Sequence, residues 1–587
     1  MPWIATLESA VKPRMTTRLA IENHRNHPRI ATAASTIATL IPMPHTALVA
    51  ACIESEEVGS SHRDVIGKKG WITRPKACVA IRATPDQRRL LFCASAPARQ
   101  IPIPKAISNR SWIVTTVTIP GRTGEPVAVR FQPFRQEIDD GADTVAWLRR
   151  QAWFGGRFAL CGASYLGYTA WALMTDPPPE LAAAVIAITA HDNHWVTHGT
   201  GAFSLEPTLS VLDGLDHMES GLARGILRLV TAGRRLKPGF EELPLVRAQE
   251  TVLAGSRMPY REWLTTPDAE NSFWRPMRLG QALERVNIPV LLQEGWQDRF
   301  VDQMIEEYER LRRRGVDVGL TIGPWTHVEV VTKGAGIVMH ETLEWFAEHF
   351  AGTGRQHRPS PIHIFVTGAK QWRYLPEWPP ATEERVLYLQ PNGGLGDTQP
   401  TPTAAPSTFI YDPADPTPAL GGRVINPRIG GYRDNRELEK RDDVLTFTGP
   451  PLNEPLEVIG KPIVELVHHT DNPHADLFVR LCEVRTNGRS INVSDAFQRL
   501  EPEKANGPIV LQLDAMAHRF TPGTRIRLQI SGGAHPRYAR NLGTEEDPAT
   551  SSDLAPSPRT IFHGEGGFSR VLLPCQLVDK RDTVNHK

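Results

Sequence analysis

Three side chains of this sequence together supply what nucleophilic acyl transfer requires: a hydroxyl, an imidazole and a carboxylate. Ser164 lies between Gly162 and Gly167, and Asp298 and His327 follow it in the chain. A serine hydroxyl is a weak nucleophile until a histidine accepts its proton and a carboxylate orients that histidine. These residue types therefore predict attack of the serine on an acyl carbonyl through a covalent intermediate.

The residues around the serine predict a strand, a tight turn and a helix. Residues 158–161 are an apolar run typical of a buried strand, and residues 168–174 are compatible with a helix. A serine at the apex of such a turn is the plan of a nucleophile elbow, in which glycines allow the sharp backbone reversal. The generic pattern is G-x-S-x-G, but here Leu166 takes the place of the second glycine and Gly167 falls one residue late.

The other two reactive residues also follow predicted strands. Residues 288–293 and 316–322 are buried apolar runs that lead into Asp298 and His327. The remaining predicted elements are helices over 142–151, 301–314 and 341–350, and a strand over 181–188. Strands that alternate with helices form a parallel sheet, whose ligand sites lie at the carboxyl ends of the strands. The chain order serine, aspartate, histidine is that of the α/β-hydrolase triad. Taken singly, each residue is also compatible with a surface serine, a helix-capping aspartate or a loop histidine.

Changes of pattern divide the chain into three parts. Residues 1–130 show neither helical nor strand periodicity. Residues 131–355 carry the alternating pattern, and a mixed helical insertion over about 195–285 predicts a cap over the site. Residues 360–580 hold short strands between Pro, Gly and Asp turns, which is typical of an all-β sandwich or jelly roll. The predicted fold class is α/β, with an α/β-hydrolase domain, a helical cap insertion and an all-β jelly-roll domain.

Composition excludes several classes of protein. The 587-residue chain has a formal net charge of +1, which gives no electrostatic argument for binding nucleic acid or an anionic membrane. Its six cysteines contain no C-x-x-C pair, so neither a disulfide framework nor a zinc knuckle is predicted. The most apolar early segment, residues 35–52, contains Pro42 and Pro44 and makes a poor membrane span. We therefore expect a cytoplasmic protein with no membrane partner.

Three histidines in one short segment raise the alternative of a metal site. His191, His194 and His198 are compatible with one helical face, but no H-E-x-x-H motif accompanies them. We therefore expect neither a metal nor another cofactor. The expected partner is a small-molecule ester or amide substrate, and a homodimer stays open.

Several motifs lie along the catalytic part: W-F-x-G-R at 153–157, G-A-S-Y-L-G at 162–167, G-W-x-D at 295–298 and G-P-W-x-H at 323–327. Those of the C-terminal part lie at 411–416, 421–422, 441–445 and 536–541. Together these motifs resemble the CocE/NonD family of hydrolases, which includes bacterial cocaine esterase, α-amino acid ester hydrolases and X-prolyl dipeptidyl aminopeptidases. The late glycine fits this family's G-x-S-Y-x-G elbow. The resemblance runs from about 131 to 577 and implies a jelly roll that covers one side of the active site.

The resemblance also implies roles for individual residues. Ser164 would be the nucleophile, Asp298 and His327 would complete the triad, and the Tyr165 backbone N–H would donate to the oxyanion. Side chains beside these motifs are candidates for the substrate pocket: Trp296, Arg299, Phe300 and Trp325.

The substrate class is less specified. Arg299 follows Asp298 directly, which weakens an α-amino acid ester hydrolase-like activity, because that activity uses acidic residues to bind the substrate ammonium group. Asp192, Glu206 and Asp302 are further carboxylates that could reach the pocket. Arg299 itself is compatible with an acidic acyl group or with a solvated arginine at a helix start. We expect a simple ester or amide, with X-Pro dipeptidyl-peptidase-like activity as an alternative.

Residues 1–130 depart from the family. There the family has an R-x-P-Y stretch whose tyrosine hydroxyl is a second oxyanion donor, whereas the Pro-Tyr pair of this chain, Pro259-Tyr260, lies in the cap. We interpret the segment as translated in a shifted reading frame, or as a divergent or disordered extension. No strand is predicted there to pair with the strand before Ser164. An inactive pseudoenzyme and a non-catalytic binding protein therefore remain alternatives to a serine hydrolase.

Overall fold

A computed structural model describes residues 132–576, apart from 153, 218–227, 229–230, 353–355 and 357, together with the backbone of three strand segments further upstream. All of these residues belong to the unit Pro44–Lys587. Apart from those three segments, residues 1–130 lie outside the described residues, and so do the interpretations of this region as frame-shifted or disordered.

Within the described chain, nine strands form one sheet: β1 (Cys52–Ser55), β2 (Arg88–Ala94), β3 (Ile113–Val117), β4 (Arg157–Ala163), β5 (Leu181–Ala187), β6 (Val290–Gln297), β7 (Val318–Thr326), β8 (Ile362–Val366) and β9 (Gln371–Leu375). Their order in the sheet is β3-β2-β1-β4-β5-β6-β7-β8-β9. Neighbours from β4 to β8 are parallel. The carboxyl ends of β4, β6 and β7 therefore meet at one edge, as the sequence predicts.

The helices lie between these strands. They are α1 (Glu137–Arg149), α2 (Tyr165–Leu173), α3 (Asn193–His198), α4 (Leu205–Asp216), α5 (Lys237–Glu241), α6 (Ala248–Val252), α7 (Tyr260–Leu264), α8 (Ala282–Arg285), α9 (Val301–Arg313), α10 (His327–Val330) and α11 (Ala335–His349). Helices α3 to α8 fall between β5 and β6, where the cap insertion is predicted. Trp263 and Trp274 of this insertion are buried in the core that includes the sheet, whereas Trp195 is 45% exposed.

Two parts of the sheet differ from the sequence-based expectation. No strand is predicted before residue 131, yet β1 pairs antiparallel with β4. The segment 361–367 is predicted to open the C-terminal domain, yet β8 pairs in parallel with β7 and β9 pairs with β8. Ile362, Ile364 and Val366 are fully buried in the same core as the cap and sheet, which explains why this segment continues the sheet.

The C-terminal part is all β in the described residues. Its thirteen strands are β10 (Glu383–Gln390), β11 (Gly394–Gly396), β12 (Ser407–Tyr411), β13 (Val444–Thr448), β14 (Leu456–Gly460), β15 (Ile463–His469), β16 (Asp476–Val484), β17 (Ser490–Arg499), β18 (Gly507–Gln512), β19 (Met516–Phe520), β20 (Arg525–Ser531), β21 (Ser557–Phe562) and β22 (Arg570–Gln576). The strands pair largely antiparallel around a separate apolar core. The predicted α/β domain followed by an all-β domain is confirmed. No helix of the described chain is long and apolar enough to cross a membrane.

Candidate active site

Three strand ends bring Ser164, His327 and Asp298 together. The His327 Nε2 atom lies 3.0 Å from the Ser164 hydroxyl oxygen, and its Nδ1 atom lies 2.5 Å from Asp298 Oδ2. The Asp298 side chain is fully buried, whereas that of His327 is 18% exposed. One ring nitrogen can therefore accept the serine proton while the carboxylate holds the other, which is the arrangement that activates a hydroxyl nucleophile.

Ser164 occupies a strained turn between β4 and α2. Its φ of 57° and ψ of −128° lie in a backbone region that residues other than glycine rarely adopt. Gly162 permits the turn, since a Cβ at this position would lie 2.3 Å from the Leu166 carbonyl oxygen. The strand therefore passes directly into the helix and presents the serine at the apex, as a nucleophile elbow requires.

Gly167, the displaced glycine of the motif, allows α2 to pack on the sheet. A Cβ there would lie 2.7 Å from Thr189 Cγ2 and 3.3 Å from the Ala187 carbonyl oxygen. Leu166, which takes the place of the generic glycine, is instead buried. The shift of one residue thus places the small residue where the helix crosses the segment that ends β5.

His327 is held at the start of a short helix. Thr326 caps α10 and forms a capping box with Glu329, so the backbone of His327 is fixed on both sides. The ring of Phe300 meets the His327 ring nearly edge-on, with centroids 5.6 Å apart. Phe300, which the sequence places in the candidate pocket, therefore lies against the histidine.

Asp298 is fixed by the turn that follows β6. Its N–H donates to the Gly295 carbonyl oxygen at 2.9 Å, and its Oδ1 accepts from the Phe300 N–H at 2.8 Å. Since one carboxylate oxygen is held by the backbone, the other is directed to His327. The carboxylate thus has a defined orientation before any substrate binds.

Glu294 is a further carboxyl group near Asp298 that the sequence analysis did not single out. It is fully buried, and its Oε2 accepts from the Gly295 N–H at 2.6 Å. Burial, reinforced by the neighbouring Asp298 charge, raises the pKa of Glu294 well above its usual value. The available signal in the sequence was a glutamate inside an otherwise buried strand.

The Tyr165 N–H, the predicted oxyanion donor, belongs to the first residue of α2. The side chain of Tyr165 contacts Glu137 and accepts from the Phe134 N–H at 3.3 Å. Its ring lies 4.5 Å from that of Phe134, centroid to centroid. The hydroxyl thus ties the elbow to the start of α1. The upstream tyrosine that the family resemblance implies would fall outside the described residues.

Two of the four candidate pocket residues lie in the core instead. Trp296 is 3% exposed, and its indole N–H donates to the Phe365 carbonyl oxygen at 2.8 Å. Trp325 is 6% exposed and packs against Trp372, with ring centroids 5.6 Å apart. Both indoles are therefore packed against neighbouring side chains and are largely withdrawn from solvent.

Arg299 is not the solvated arginine that one interpretation predicts. Its guanidinium donates to the Val196 carbonyl oxygen at 3.0 Å and lies over the Phe300 ring, 5.3 Å from the centroid. Burial lowers the pKa of Arg299 to about 10. The side chain therefore joins the cap to the turn that carries Asp298, which leaves Arg299 and Phe300 as the pocket candidates beside the histidine.

The three additional carboxylates are already engaged with protein groups. Asp192 caps α3 and pairs with Arg278 at 3.2 Å. Asp302 pairs with Arg423. Glu206 is 1% exposed and accepts from the Ser210 hydroxyl at 2.9 Å, and burial raises its pKa to about 7. Each of these carboxylates therefore already has a partner within the protein.

The histidine segment makes hydrogen bonds to protein groups rather than converging on one point. The ring nitrogens of His194 and His198 donate to carbonyl oxygens of Pro267 and Trp263, at 2.7 and 2.8 Å. His191 contacts the Glu307 carboxylate at 3.1 Å. Over the described part of the chain, no group of three or more His, Cys, Asp or Glu side chains is placed to hold a metal ion.

Two family models match the chain. One describes the X-Pro dipeptidyl-peptidase (S15 family) and matches residues 121–329, which include Ser164, Asp298 and His327. The other describes the X-Pro dipeptidyl-peptidase C-terminal non-catalytic domain and matches residues 355–572. The chain thus matches the S15 family over its catalytic part and that family's C-terminal domain over the part that follows. The family predicted from the elbow and triad motifs, CocE/NonD and S15-like, is thereby confirmed.

Individual relatives agree with the match to the S15 family. The chain is 28% identical over 495 residues to the cocaine esterase of Rhodococcus sp. (strain MB1 Bresler). The alignment covers 76% of this chain and 85% of the esterase. An α-amino acid ester hydrolase structure has a TM-score of 0.64 at 23% identity and covers 79% of this chain and 86% of that one. An aminopeptidase from a marine sediment Thaumarchaeota archaeon has a TM-score of 0.63 at 20% identity, over 79% and 85% of the two chains. The two structures support the fold, and the family supports a hydrolase of the esterase and peptidase type.

Proposed function

We propose that this protein is a serine hydrolase that cleaves a carboxylic ester or amide through an acyl-enzyme. The observation that carries the proposal is the continuous contact from Ser164 Oγ through His327 to Asp298, at 3.0 and 2.5 Å. A buried carboxylate on one side of the imidazole and a strained serine on the other match the requirements of this chemistry.

The first half-reaction forms the acyl-enzyme. Ser164 Oγ attacks the acyl carbonyl carbon while His327 Nε2 takes the hydroxyl proton. Asp298 keeps the Nδ1 proton oriented and stabilises the imidazolium. Collapse of the tetrahedral intermediate breaks the bond to the alcohol or amine, and His327 returns its proton to that leaving group. In the second half-reaction, water attacks the acyl group by the same proton route and releases the acid and free Ser164.

The negative oxygen of the tetrahedral intermediate needs donors that are already in place. The N–H of Tyr165 stands at the positive end of α2, next to the nucleophile. In comparable sites, loss of one oxyanion donor lowers turnover by about 100- to 1,000-fold. We assign Tyr165 N–H as one donor of this hole.

A simple carboxylic ester is the substrate class that the site favours. Asp192 and Asp302 are paired with arginines, and Arg299 lies beside Asp298. This balance of charge does not favour a substrate ammonium group, which the amino-ester and X-Pro alternatives both require. Phe300, packed on His327, offers an apolar contact for an uncharged acyl or alcohol part.

The experiment compares hydrolysis of an ester with that of an X-Pro anilide, and wild-type protein with a variant that lacks the Ser164 hydroxyl. Purified protein should hydrolyse p-nitrophenyl butyrate faster than glycyl-prolyl p-nitroanilide, and Ser164→Ala should abolish both activities. Ser551→Ala, which changes a serine of the C-terminal domain, is the control and should leave turnover unchanged. Turnover retained by Ser164→Ala would refute the assignment, and a faster anilide reaction would favour the X-Pro alternative. A wild-type protein without turnover on either substrate would favour the pseudoenzyme or binding-protein alternatives.

A further inference from the structure

We propose that Arg423, a residue of the C-terminal domain, is a positioning residue for Asp298, so that the domain described as non-catalytic sets the geometry of the triad. The inference rests on the proposed function of Asp298. It goes beyond that function because it assigns part of the catalytic efficiency to a side chain that touches neither the substrate nor the reacting atoms.

Arg423 contacts both sides of the turn that carries Asp298. Its guanidinium is 4% exposed, and Nε donates to the Trp296 carbonyl oxygen at 3.4 Å. Nη1 pairs with Asp302. Trp296 precedes Asp298 by two residues and Asp302 follows it by four, so one side chain spans the whole turn. Nη2 donates to the Ala515 carbonyl oxygen at 3.2 Å and so anchors the arginine in its own domain.

Further contacts from the same domain hold the residues between these points. The Gln297 side chain donates to the Val493 carbonyl oxygen at 3.2 Å and accepts from the Asn492 amide at 3.4 Å. Asp302 Oδ1 also accepts from the Ala515 N–H at 3.2 Å. The residue directly before Asp298 and the first turn of α9 after it are therefore both bound to the C-terminal domain.

The contact extends to the histidine side of the triad. Gly431 has a φ of 79°, and a Cβ there would lie 2.9 Å from Thr326 Cγ2. Thr326 is the residue that caps the helix of His327. The C-terminal segment that includes Arg423 and Gly431 thus packs against the supports of both Asp298 and His327, where small displacements would lengthen the 2.5 Å contact between them.

The charge of Arg423 is balanced at this interface. Asp514 Oδ1 lies 2.8 Å from the guanidinium, in addition to Asp302. Although burial acts in the opposite direction, the Arg423 and Lys461 charges lower the pKa of Asp302 below its usual value. Asp302 therefore stays ionised and keeps its hold on Arg423. An uncharged residue at 423 would leave these two partly buried carboxylates with only the more distant Lys461 and Arg537, at 3.4 and 3.8 Å, which is unfavourable.

A purely structural role for Arg423 makes a different prediction, and Arg373 provides the matched control. Arg373 in β9 pairs with Glu457 of β14, which also receives a bond from Arg519. This contact joins the same two domains, but it involves no residue of the turn that carries Asp298. Loss of an ion pair between the domains can therefore be separated from displacement of Asp298.

The test measures kcat, KM and thermal unfolding for Arg423→Gln, Arg423→Lys and Arg373→Gln on p-nitrophenyl butyrate. Misplacement of a catalytic group by about 1 Å costs up to about 100-fold in rate. We expect Arg423→Gln to lower kcat by about 10- to 100-fold with KM within about threefold of wild type. Arg423→Lys should recover part of this loss, because it keeps the charge near Asp302. Arg373→Gln should lower the unfolding temperature while kcat stays within about twofold of wild type.

Several results would overturn the inference. One is a wild-type kcat in folded Arg423→Gln, and another is an equal loss of kcat in Arg373→Gln. If Arg423→Gln does not fold, Arg423→Lys decides alone: an unchanged kcat contradicts a positioning role, and a reduced kcat at unchanged KM supports it. Failure of the proposed function is distinguishable, because the wild-type protein itself would then show no Ser164-dependent turnover.

Discussion

The edge of the nine-stranded sheet and the domain that packs on it use charge in opposite ways. At the sheet edge, the buried Asp298 carboxylate meets the His327 imidazole, and backbone contacts hold both. The C-terminal domain instead holds alternating cations and carboxylates, of which Arg423, Arg537, Asp495 and Arg480 are buried and Asp514 is half-buried. The reactive edge has few ionic partners, and the network behind it has many.

This difference shows that one set of contacts places the triad residues and another set fixes the turns that carry them. Strand ends and helix caps place the triad residues, because each of them follows its own strand within a few residues. Contacts across the interface fix the turns between those strands, since Gln297 and Asp302 are both bonded to the C-terminal domain. Changes at the edge should therefore affect chemistry most, and changes in the parts of the network that do not contact the turn of Asp298 should affect stability most.

The largest expected effect is at the edge itself. Asp298→Asn keeps the shape of the side chain but removes its charge and favours the wrong histidine tautomer, so kcat should fall by about 10,000-fold. The unfolding temperature should change little by comparison. Asp397→Asn alters a carboxylate that is 65% exposed and serves as the control, with unchanged kcat expected. A kcat above a tenth of the wild-type value in Asp298→Asn would contradict the role of this residue.

The elbow glycine should come next. Gly162→Ala places a Cβ 2.3 Å from the Leu166 carbonyl oxygen, so the turn must open. We expect kcat to fall by about 100-fold and stability by about 1–3 kcal/mol. Gly214→Ala in α4 is the matched control, because nothing lies within 4 Å of the added carbon. Steady-state kinetics and thermal unfolding check both variants, and an active Gly162→Ala would mean that the close turn is not required.

The network should respond in the opposite sense. Arg480 is 1% exposed and pairs with Asp495 at 2.9 Å. Arg480→Met leaves that carboxylate with one arginine fewer, and the loss of a buried partner costs about 3–5 kcal/mol. Thermal unfolding should show this loss, while kcat of the folded protein stays within about threefold of wild type. A lower kcat at an unchanged unfolding temperature would reverse the distinction between the two regions.

The smallest expected effect concerns Glu206 in the cap. Burial raises the pKa of Glu206 to about 7, whereas in the unfolded chain it should titrate near the ordinary glutamate value of 4.5. Because the folded state holds the proton more tightly, this group favours folding at low pH. Its contribution is lost as the pH rises from 4.5 to about 7. Glu206→Gln should flatten the pH dependence of the unfolding temperature between pH 5 and 8, and an unchanged profile would contradict the raised pKa.

The sequence was most informative where the position of a residue follows from the strand that directly precedes it. Ser164, Asp298 and His327 each end a buried apolar run, so parallel pairing alone predicts their meeting. The late Gly167 indicates the family from the sequence alone, and the structure adds that this glycine lets α2 approach Thr189 closely. Such local patterns carry the fold class and the candidate triad.

Long-range relations were not predictable in this way. A short apolar segment such as 362–366 fits the edge of either domain, and only its pairing with β7 decides between them. Trp296 and Trp325 lie beside reactive residues in the sequence, yet their indoles turn into the core. Arg423 carries no sequence signal, because its partners lie 121 and 127 residues away in the chain.

The central claim is that Ser164 is the nucleophile, and covalent trapping tests it most directly. Native protein treated with a fluorophosphonate should gain the mass of one phosphonyl group in intact-mass spectrometry, and peptide mapping should place that group on Ser164. Ser164→Ala should gain none. An adduct on another residue, or a folded wild-type protein that forms no adduct, would contradict the account.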